Sequence, residues 1–383
     1  MRLVAKTFFG LEKVLAKELE DLGAGNISIL KRAVSFDANK ELLYKSNLYL
    51  RSALRILQPL KTFTARNEDQ LYKAVREYDW SHYLTNDKTF AIDPVVYSRF
   101  FQHSKYAALK VKDAICDQFR DKTGARPSID PVRPDLLINL HIAEDKVTLS
   151  MDSSGDPLNQ RGYRTKPYTA PINETLAAGM LLIAGYDGSR PMMDPMCGSG
   201  TFLIEAAMIA SRMAPNIKRR EFGFMRWGNY DPELWKRITE EAKAKIVTPQ
   251  HRIGGSDISV MAIDIARQSA LDFGLKKYID LSVKQFTEAE ANGRGGLFIT
   301  NPPYQERLKS RDIFLLYSEL GSQLKHKFSG WDAWIISGNA EALKSVGLKP
   351  STRQTLYNGA LECNFQKFEL YEGSRKQGGL KSE

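Results

Sequence analysis

The sequence predicts an α/β protein: an open, mainly parallel sheet with helices on both faces over its C-terminal part, preceded by two smaller α+β units. Three observations carry that reading. From Met192 onward short apolar strands alternate with helices, the pattern of a sheet whose parallel strands are joined by helical crossovers. The 383 residues exceed what one compact core holds, so two or three domains are expected. Hydrophobic residues at 43% and charged residues at 26% are close to globular averages, which excludes a disordered or membrane-embedded chain.

The elements follow in chain order. Residues 1–60 open with the apolar run Leu3-Val4-Ala5. Leu11, Val14, Leu15, Leu19 and Leu22 then recur at helix spacing, with Gly23 and Gly25 where that helix should stop. Residues 61–155 read as a second unit, with helices over 68–78 and 107–122. Strands follow over 136–142 and 146–151, turning through Ala143-Glu144-Asp145. Pro127, Pro131 and Pro134 cluster ahead of those strands and read as a loop. Residues 159–166 are polar, basic and contain a glycine, as a linker would be, and an apolar helix is expected over 174–184. The Gly-rich tail from Gly373 is expected to fray.

Several chemistries are excluded. Cys116, Cys197 and Cys363 are odd in number and far apart, which rules out a disulfide framework and disfavours a closed zinc site. His82, His103, His141, His251 and His326 show no i, i+4 pair, and no Gly-Lys-Ser/Thr tripeptide of a phosphate-binding loop occurs. The longest uncharged apolar stretch, residues 175–186, is too short to span a bilayer, and residues 1–6 lack a signal-peptide core, so no membrane association and a cytoplasmic location are expected. A net charge of +10, spread over both halves, suits a polyanionic partner such as nucleic acid without requiring one.

The run Met192-Met193-Asp194-Pro195-Met196-Cys197-Gly198-Ser199-Gly200-Thr201 leads from a short strand through a glycine turn into an apolar helix over 202–210. Gly198 and Gly200 let the backbone approach a ligand closely. A dinucleotide fingerprint wants a third glycine, and Phe202 and Leu203 stand in that region. Asp194 directly before the turn repels a pyrophosphate but suits a cationic ligand such as S-adenosylmethionine, which is favoured over NAD. Pro195, Cys197, Gly198, Gly200 and Thr201 are the expected cofactor contacts of this turn. Asp257, at the end of the expected second strand, is placed to accept from ribose hydroxyls. It lies 63 residues beyond Asp194, so an insertion must intervene, over 211–250. There Arg212, Lys218, Arg219 and Arg220 mix with Phe222, Phe224, Trp227, Tyr230 and Trp235, which reads either as a single-stranded nucleic-acid platform or as a local core.

The fourth strand, residues 296–300, runs into Asn301-Pro302-Pro303-Tyr304. An exocyclic amine on a nucleobase is a poor nucleophile because its lone pair is delocalised into the ring. The Asn301 side-chain carbonyl and a neighbouring backbone carbonyl can accept its two hydrogens and orient it for in-line displacement. Pro302 and Pro303 fix the turn, and the Tyr304 ring can stack on the target base. Asn301 to Tyr304 are therefore the expected catalytic residues, with Asn301 also bordering the cofactor.

With these motifs, together with Ile204-Glu205-Ala206-Ala207 and Gln305-Glu306-Arg307-Leu308, the chain resembles the THUMP-domain RNA guanine-N2 methyltransferases, above all the RlmL-type 23S ribosomal RNA enzymes. The resemblance implies an N-terminal ferredoxin-like segment over 1–60, a THUMP RNA-binding module over 61–155 and a Rossmann-like S-adenosylmethionine-dependent methyltransferase domain over 165–383. It implies transfer of a methyl group to the exocyclic N2 of a guanine in 23S rRNA, on naked RNA or a large-subunit assembly intermediate. It places Asp194, Gly198, Gly200 and Asp257 on cofactor motifs and Asn301 to Tyr304 on the amine-binding motif. After the third strand an Asp is expected to accept from the cofactor's adenine amine, and the sequence has Gln285, whose amide oxygen can still accept. Bifunctional relatives with a second methyltransferase domain are longer, and no room for one is expected here. Guanine-N2 methylation of tRNA, adenine-N6 methylation of DNA and a non-catalytic RNA-binding assembly factor remain open alternatives, and the sequence does not address the oligomeric state.

Overall fold

In the computed structural model the structure describes residues 1–164, 172–303 and 310–371, with no side-chain description for residues 310 and 311. The chain divides into two compact units. The first contains Met1–Thr7, Leu15–Leu158 and Arg219–Glu240. The second contains Phe8–Val14, Asn159–Lys218 and the remainder from Glu241.

The elements of the N-terminal part are β1 (Arg2–Lys6), α1 (Glu12–Asp21), β2 (Gly25–Leu30), β3 (Ala33–Asp37), α2 (Lys40–Tyr49), β4 (Arg55–Thr64), α3 (Glu68–Arg76), β5 (Thr89–Tyr97), α4 (Ser104–Thr123), β6 (Ser128–Ile129), β7 (Leu136–Ala143) and β8 (Lys146–Asp152). Their strands form one eight-stranded sheet in the order β2-β3-β1-β4-β8-β7-β5-β6. The division expected at residue 60 falls inside β4, which pairs antiparallel with β1 on one side and β8 on the other. Its Pro59 sits at a register shift, where a missing N–H is tolerated. Asn39 and Asn67 cap α2 and α3 by accepting from the backbone N–H of Leu42 and Gln70.

The insertion contributes a short 3₁₀ turn, Gly223–Arg226, and α7 (Pro232–Ala244), following α5 (Glu174–Ile183), β9 (Met192–Asp194) and α6 (Thr201–Ala210) in the chain. Its Arg219–Glu240 stretch belongs to the first unit. Phe222 and Phe224 are buried, and Tyr44 stacks on Phe224 at 4.3 Å between ring centroids. Of the two readings of these aromatics, a local core is the one these two rings form. Arg219 is likewise spent on structure, donating to the carbonyls of Ser154, Asp156, Pro157 and Glu221.

The second unit continues with β10 (Ile253–Asp257), α8 (Val260–Asp272), β11 (Ile279–Val283), β12 (Leu297–Thr300), α9 (Ser310–Lys327), β13 (Asp332–Ser337), α10 (Ala340–Lys344), β14 (Thr352–Asn358) and β15 (Leu361–Glu369). The sheet order is β11-β10-β9-β12-β13-β15-β14. β9 to β13 are parallel, whereas β15 runs antiparallel between β13 and β14. Counted within this sheet the order is 3-2-1-4-5-7-6, so the antiparallel strand wedged before the last position separates it from the six-stranded dinucleotide-binding order. Leu11 is fully buried in this unit's core with Leu176, Leu203, Phe202 and Leu356. No described helix is long and apolar enough to cross a membrane.

Candidate active site

The chain reverses its strand order at β9, with β10 on one side and β12 on the other, and ligands of open α/β sheets bind outside the carboxyl ends at such a point. The sequence-predicted acids lie there. Asp194 ends β9, and its Oδ1 accepts from Thr300 Oγ1 at 2.8 Å and from the Met196 backbone N–H at 3.2 Å. That pair ties the start of the glycine turn to the end of β12, immediately before Asn301. Burial pushes the Asp194 carboxyl up to about 7. The two hydrogen bonds oppose the shift, and the negative charge of Asp257 adds to it.

Asp257 ends β10. Its Oδ2 accepts from the Gly198 N–H and its Oδ1 from the Ser259 N–H, both at 2.9 Å. Each oxygen keeps a second lone pair, so the carboxylate holds the glycine turn and still has capacity for hydroxyl donors. Gly198 and Gly200 have φ of 51° and 79°, the left-handed region that favours glycine. A Cβ on Gly200 would meet the Ala266 Cβ at 2.9 Å. At Gly200 the absent side chain therefore admits α8, in addition to shaping the turn.

The other residues of the turn are engaged through backbone or buried groups. The Cys197 N–H donates to the Ser256 carbonyl at 2.9 Å, and burial holds its thiol well above its ordinary range. Pro195 is buried, with its carbonyl accepting from Ser256 Oγ at 3.5 Å. Thr201 opens α6, and its Oγ1 accepts from Arg164 Nη2 at 3.2 Å. Arg164 also donates to the Ile172 carbonyl and pairs with Glu174. Neither Arg164 nor Thr300 was singled out from sequence, because a lone Arg in a basic linker and a Thr ending a strand carry no distinguishing pattern.

Asn301 follows β12 directly. Its Oδ1 is buried and has no hydrogen-bond partner among the described residues. Pro302 is buried and Pro303 exposed, and Tyr304, with Gln305 to Leu308, lies outside the described residues. Gln285 is exposed and caps a short 3₁₀ turn, Phe286–Glu288. Its side chain accepts from the Glu288 N–H, while Glu288 Oε1 accepts from the Gln285 N–H at 3.1 Å. The amide oxygen expected to face an adenine amine is thus partly committed to a local cap.

A doubly wound sheet with an acid before a glycine turn, a second acid on the neighbouring strand and, beyond β12, an amide oxygen with no partner among the described residues defines an α/β domain with a ligand site at its switch point. Residues 161–367 match the family described as RMKL-like, methyltransferase domain, residues 65–152 match the THUMP domain, and residues 2–57 match the RlmL ferredoxin-like domain. The chain belongs to the RMKL-like methyltransferase family. It is 41% identical over 375 residues to the ribosomal RNA large subunit methyltransferase K/L of Syntrophotalea carbinolica, which covers 95% of this chain but about half, 53%, of that relative's length. Among solved structures, a chain of Clostridium difficile 630 described as a possible methylase is 34% identical with a TM-score of 0.89, covering 98% of this chain and 99% of its own. SMU.472, solved in complex with SAH, is 31% identical with a TM-score of 0.89, covering 97% and 99% respectively.

Proposed function

We propose that this chain is an S-adenosylmethionine-dependent methyltransferase that acts on the exocyclic N2 of a guanine in 23S rRNA, as naked RNA or within a large-subunit assembly intermediate in the cytoplasm. The observation that carries the reading is the Asn301 Oδ1, a buried acceptor with no partner among the described residues, set one residue beyond the Thr300–Asp194 link. Buried acceptors in native proteins are as a rule satisfied, and an amine with two hydrogens supplies a donor that this oxygen can take.

The residues present fit a cationic cofactor. Asp194 and Asp257 place two carboxylates at one sheet edge, and among the described residues none bonded to either is a cation. When bound, S-adenosylmethionine supplies an electrophilic methyl group. Asp257 offers its remaining lone pairs to ribose hydroxyls, the turn from Pro195 through Cys197, Gly198 and Gly200 to Thr201 shapes the cradle, and Gln285 offers its remaining acceptor capacity to the adenine amine. Asn301 holds the target amine with its lone pair turned toward the cofactor, the two prolines keep that carbonyl aimed, and Tyr304 stacks on the base. The first unit, which includes the THUMP match, is the RNA-binding part; the THUMP and RNA methyltransferase resemblances favour RNA over DNA.

Mass-spectrometric mapping of modified nucleosides from cells lacking the protein tests this. Loss of one N2-methylguanosine from 23S rRNA is expected. Loss confined to tRNA would move the substrate there, and loss of N6-methyladenine from DNA would overturn the RNA reading.

A further inference from the structure

The two faces of the first unit's sheet differ in character. Ile138, Leu140 and Ile142 of β7 and Val147 and Leu149 of β8 join a core with residues of α3 and α4. Strand alternation puts His141 and its register partner Thr148 on the opposite face, where Thr148 Oγ1 shares a hydrogen bond with Thr62 Oγ1 at 3.2 Å. The register carries that face across the sheet. Asp152, which shares the face of Thr148, stands opposite Leu57 of β4, and Leu57 stands opposite Val4 of β1. Lys6, two residues on from Val4, therefore projects from the same face as His141. The Thr7 N–H donates to the Arg32 carbonyl at 3.0 Å, which sets the turn between β2 and β3 beside the end of β1.

These groups are accessible and lack acid neighbours. Lys6 and His141 are partly exposed, and Arg32 is exposed. Neither Lys6 nor His141 makes a hydrogen bond or an ion pair among the described residues. Burial and the charge of Arg32 push the Lys6 ammonium down, and burial and the charge of Lys6 push the His141 imidazole down. Among the described residues no carboxylate offsets either effect. The acids that the strands place on this face are committed to other arginines: Asp37 pairs with Arg2 at 3.1 Å, and Asp93 and Asp152 pair with Arg55. Arg32 carries a second cost. It lies in the two-residue turn between the paired Leu30 and Ala33, at φ 56°, in the left-handed region that favours glycine. The chain thus holds an arginine in a strained conformation where its charge also repels Lys6.

We propose that Lys6, Arg32 and His141 form a site for the phosphodiester backbone of RNA. Phosphate oxygens are acceptors only and carry the opposite charge, so they receive the ammonium, guanidinium and imidazole N–H groups and relieve the repulsion between the two cations. The site extends the RNA-binding reading of the first unit and rests on it.

Binding of a 23S rRNA transcript to the full chain at pH 8, measured across a salt series, tests the site. Lys6→Gln and Arg32→Gly should each weaken binding and reduce the magnitude of the log–log salt slope by about 0.7 to 0.9, the loss of one phosphate contact. Lys6→Arg keeps the charge and should keep the slope. His141→Ala should weaken binding with the slope unchanged, because a neutral imidazole donates a hydrogen bond without displacing a counterion. In the absence of RNA, Arg32→Gly should hold or raise Tm, since glycine relieves the left-handed strain. An unchanged slope in either Lys6→Gln or Arg32→Gly would overturn the site, and a lower Tm in Arg32→Gly with unchanged RNA affinity would mark Arg32 as structural. Calorimetric binding of inorganic phosphate that Lys6→Gln abolishes, with RNA affinity unchanged, would overturn the RNA assignment in favour of a free anion. Failure of the wild-type chain to bind RNA at all would instead remove the RNA reading on which the site rests.

Discussion

At Asn301 a single oxygen separates a strand-ending turn from a catalytic site. Asn301→Ala removes the buried acceptor, and the methylation rate should fall on the order of 10² or more, as for loss of one preorganised polar contact, while calorimetry still shows both ligands binding. Tyr304→Phe keeps the stacking face and should retain most activity, whereas Tyr304→Ala should weaken capture of the base. Asp194 adds a pH signature. Its folded carboxyl is raised to about 7 from the ordinary 3.8, so between those values the folded state holds a proton that the unfolded chain has released. This group therefore makes stability fall as pH rises from about 4 to about 7 and level off above. A cationic ligand favours the ionised form, so S-adenosylmethionine should bind more tightly at pH 8 than at pH 6, with proton release detectable in buffers of different ionisation enthalpy. Asp194→Asn should abolish that dependence. Equal affinity at both pH values in the wild type would detach Asp194 from the cofactor.

The elements that position these groups depend on close backbone approach. A Cβ on Gly255 of β10 would lie 2.2 Å from Leu203 Cδ1 of α6. Gly255→Ala should therefore cost about 1 to 3 kcal/mol by overpacking. Urea unfolding of the double variant with Leu203→Ala should show less than the sum of the single losses, because the smaller side chain vacates the space that the new methyl needs. The period of apolar residues made part of the second unit legible: α6 and β12 begin and end within a residue of the expected 202–210 and 296–300, and β10 ends at Asp257 as expected. Motif order did the same for Asp194, Asp257 and Asn301, which stand at the ends of neighbouring strands. Other features left no local trace. β5 was missed because Asp93 and Pro94 break its apolar run. In the fold Pro94 is tolerated where β6, which pairs only with Thr89 and Phe90, no longer needs an N–H from β5. The role of Thr300 was invisible because a hydrogen bond between strand ends 106 residues apart has no spacing rule. The cap made by Gln285 was hidden for a different reason: its partner, Glu288, reads from sequence as an ordinary exposed charge.

At the scale of the whole chain, neither unit is a continuous stretch of sequence. Phe8–Val14 belongs with the second unit and Arg219–Glu240 with the first. Leu11 lies so close to Gly179 that a Cβ there would sit 2.5 Å from its Cδ1, and the Gly10 carbonyl accepts from Gln354 Nε2 at 2.7 Å. Leu11→Ala should thus lower the second unit's stability by about 2 to 5 kcal/mol, read by denaturant unfolding. A fragment beginning near residue 164 should be destabilised for the same reason, although it retains the sheet and the glycine turn. The central claim joins the RNA-binding reading of the first unit to the amine-binding site of the second. Its most direct test is incubation of the full chain with tritiated S-adenosylmethionine and separate pools of 23S rRNA, large-subunit assembly intermediates, tRNA and DNA, followed by nucleoside analysis. Label in N2-methylguanosine of 23S rRNA, free or in intermediates, and its loss in Asn301→Ala, is the predicted result; label in N6-methyladenine of DNA, or none in any RNA pool, would contradict it.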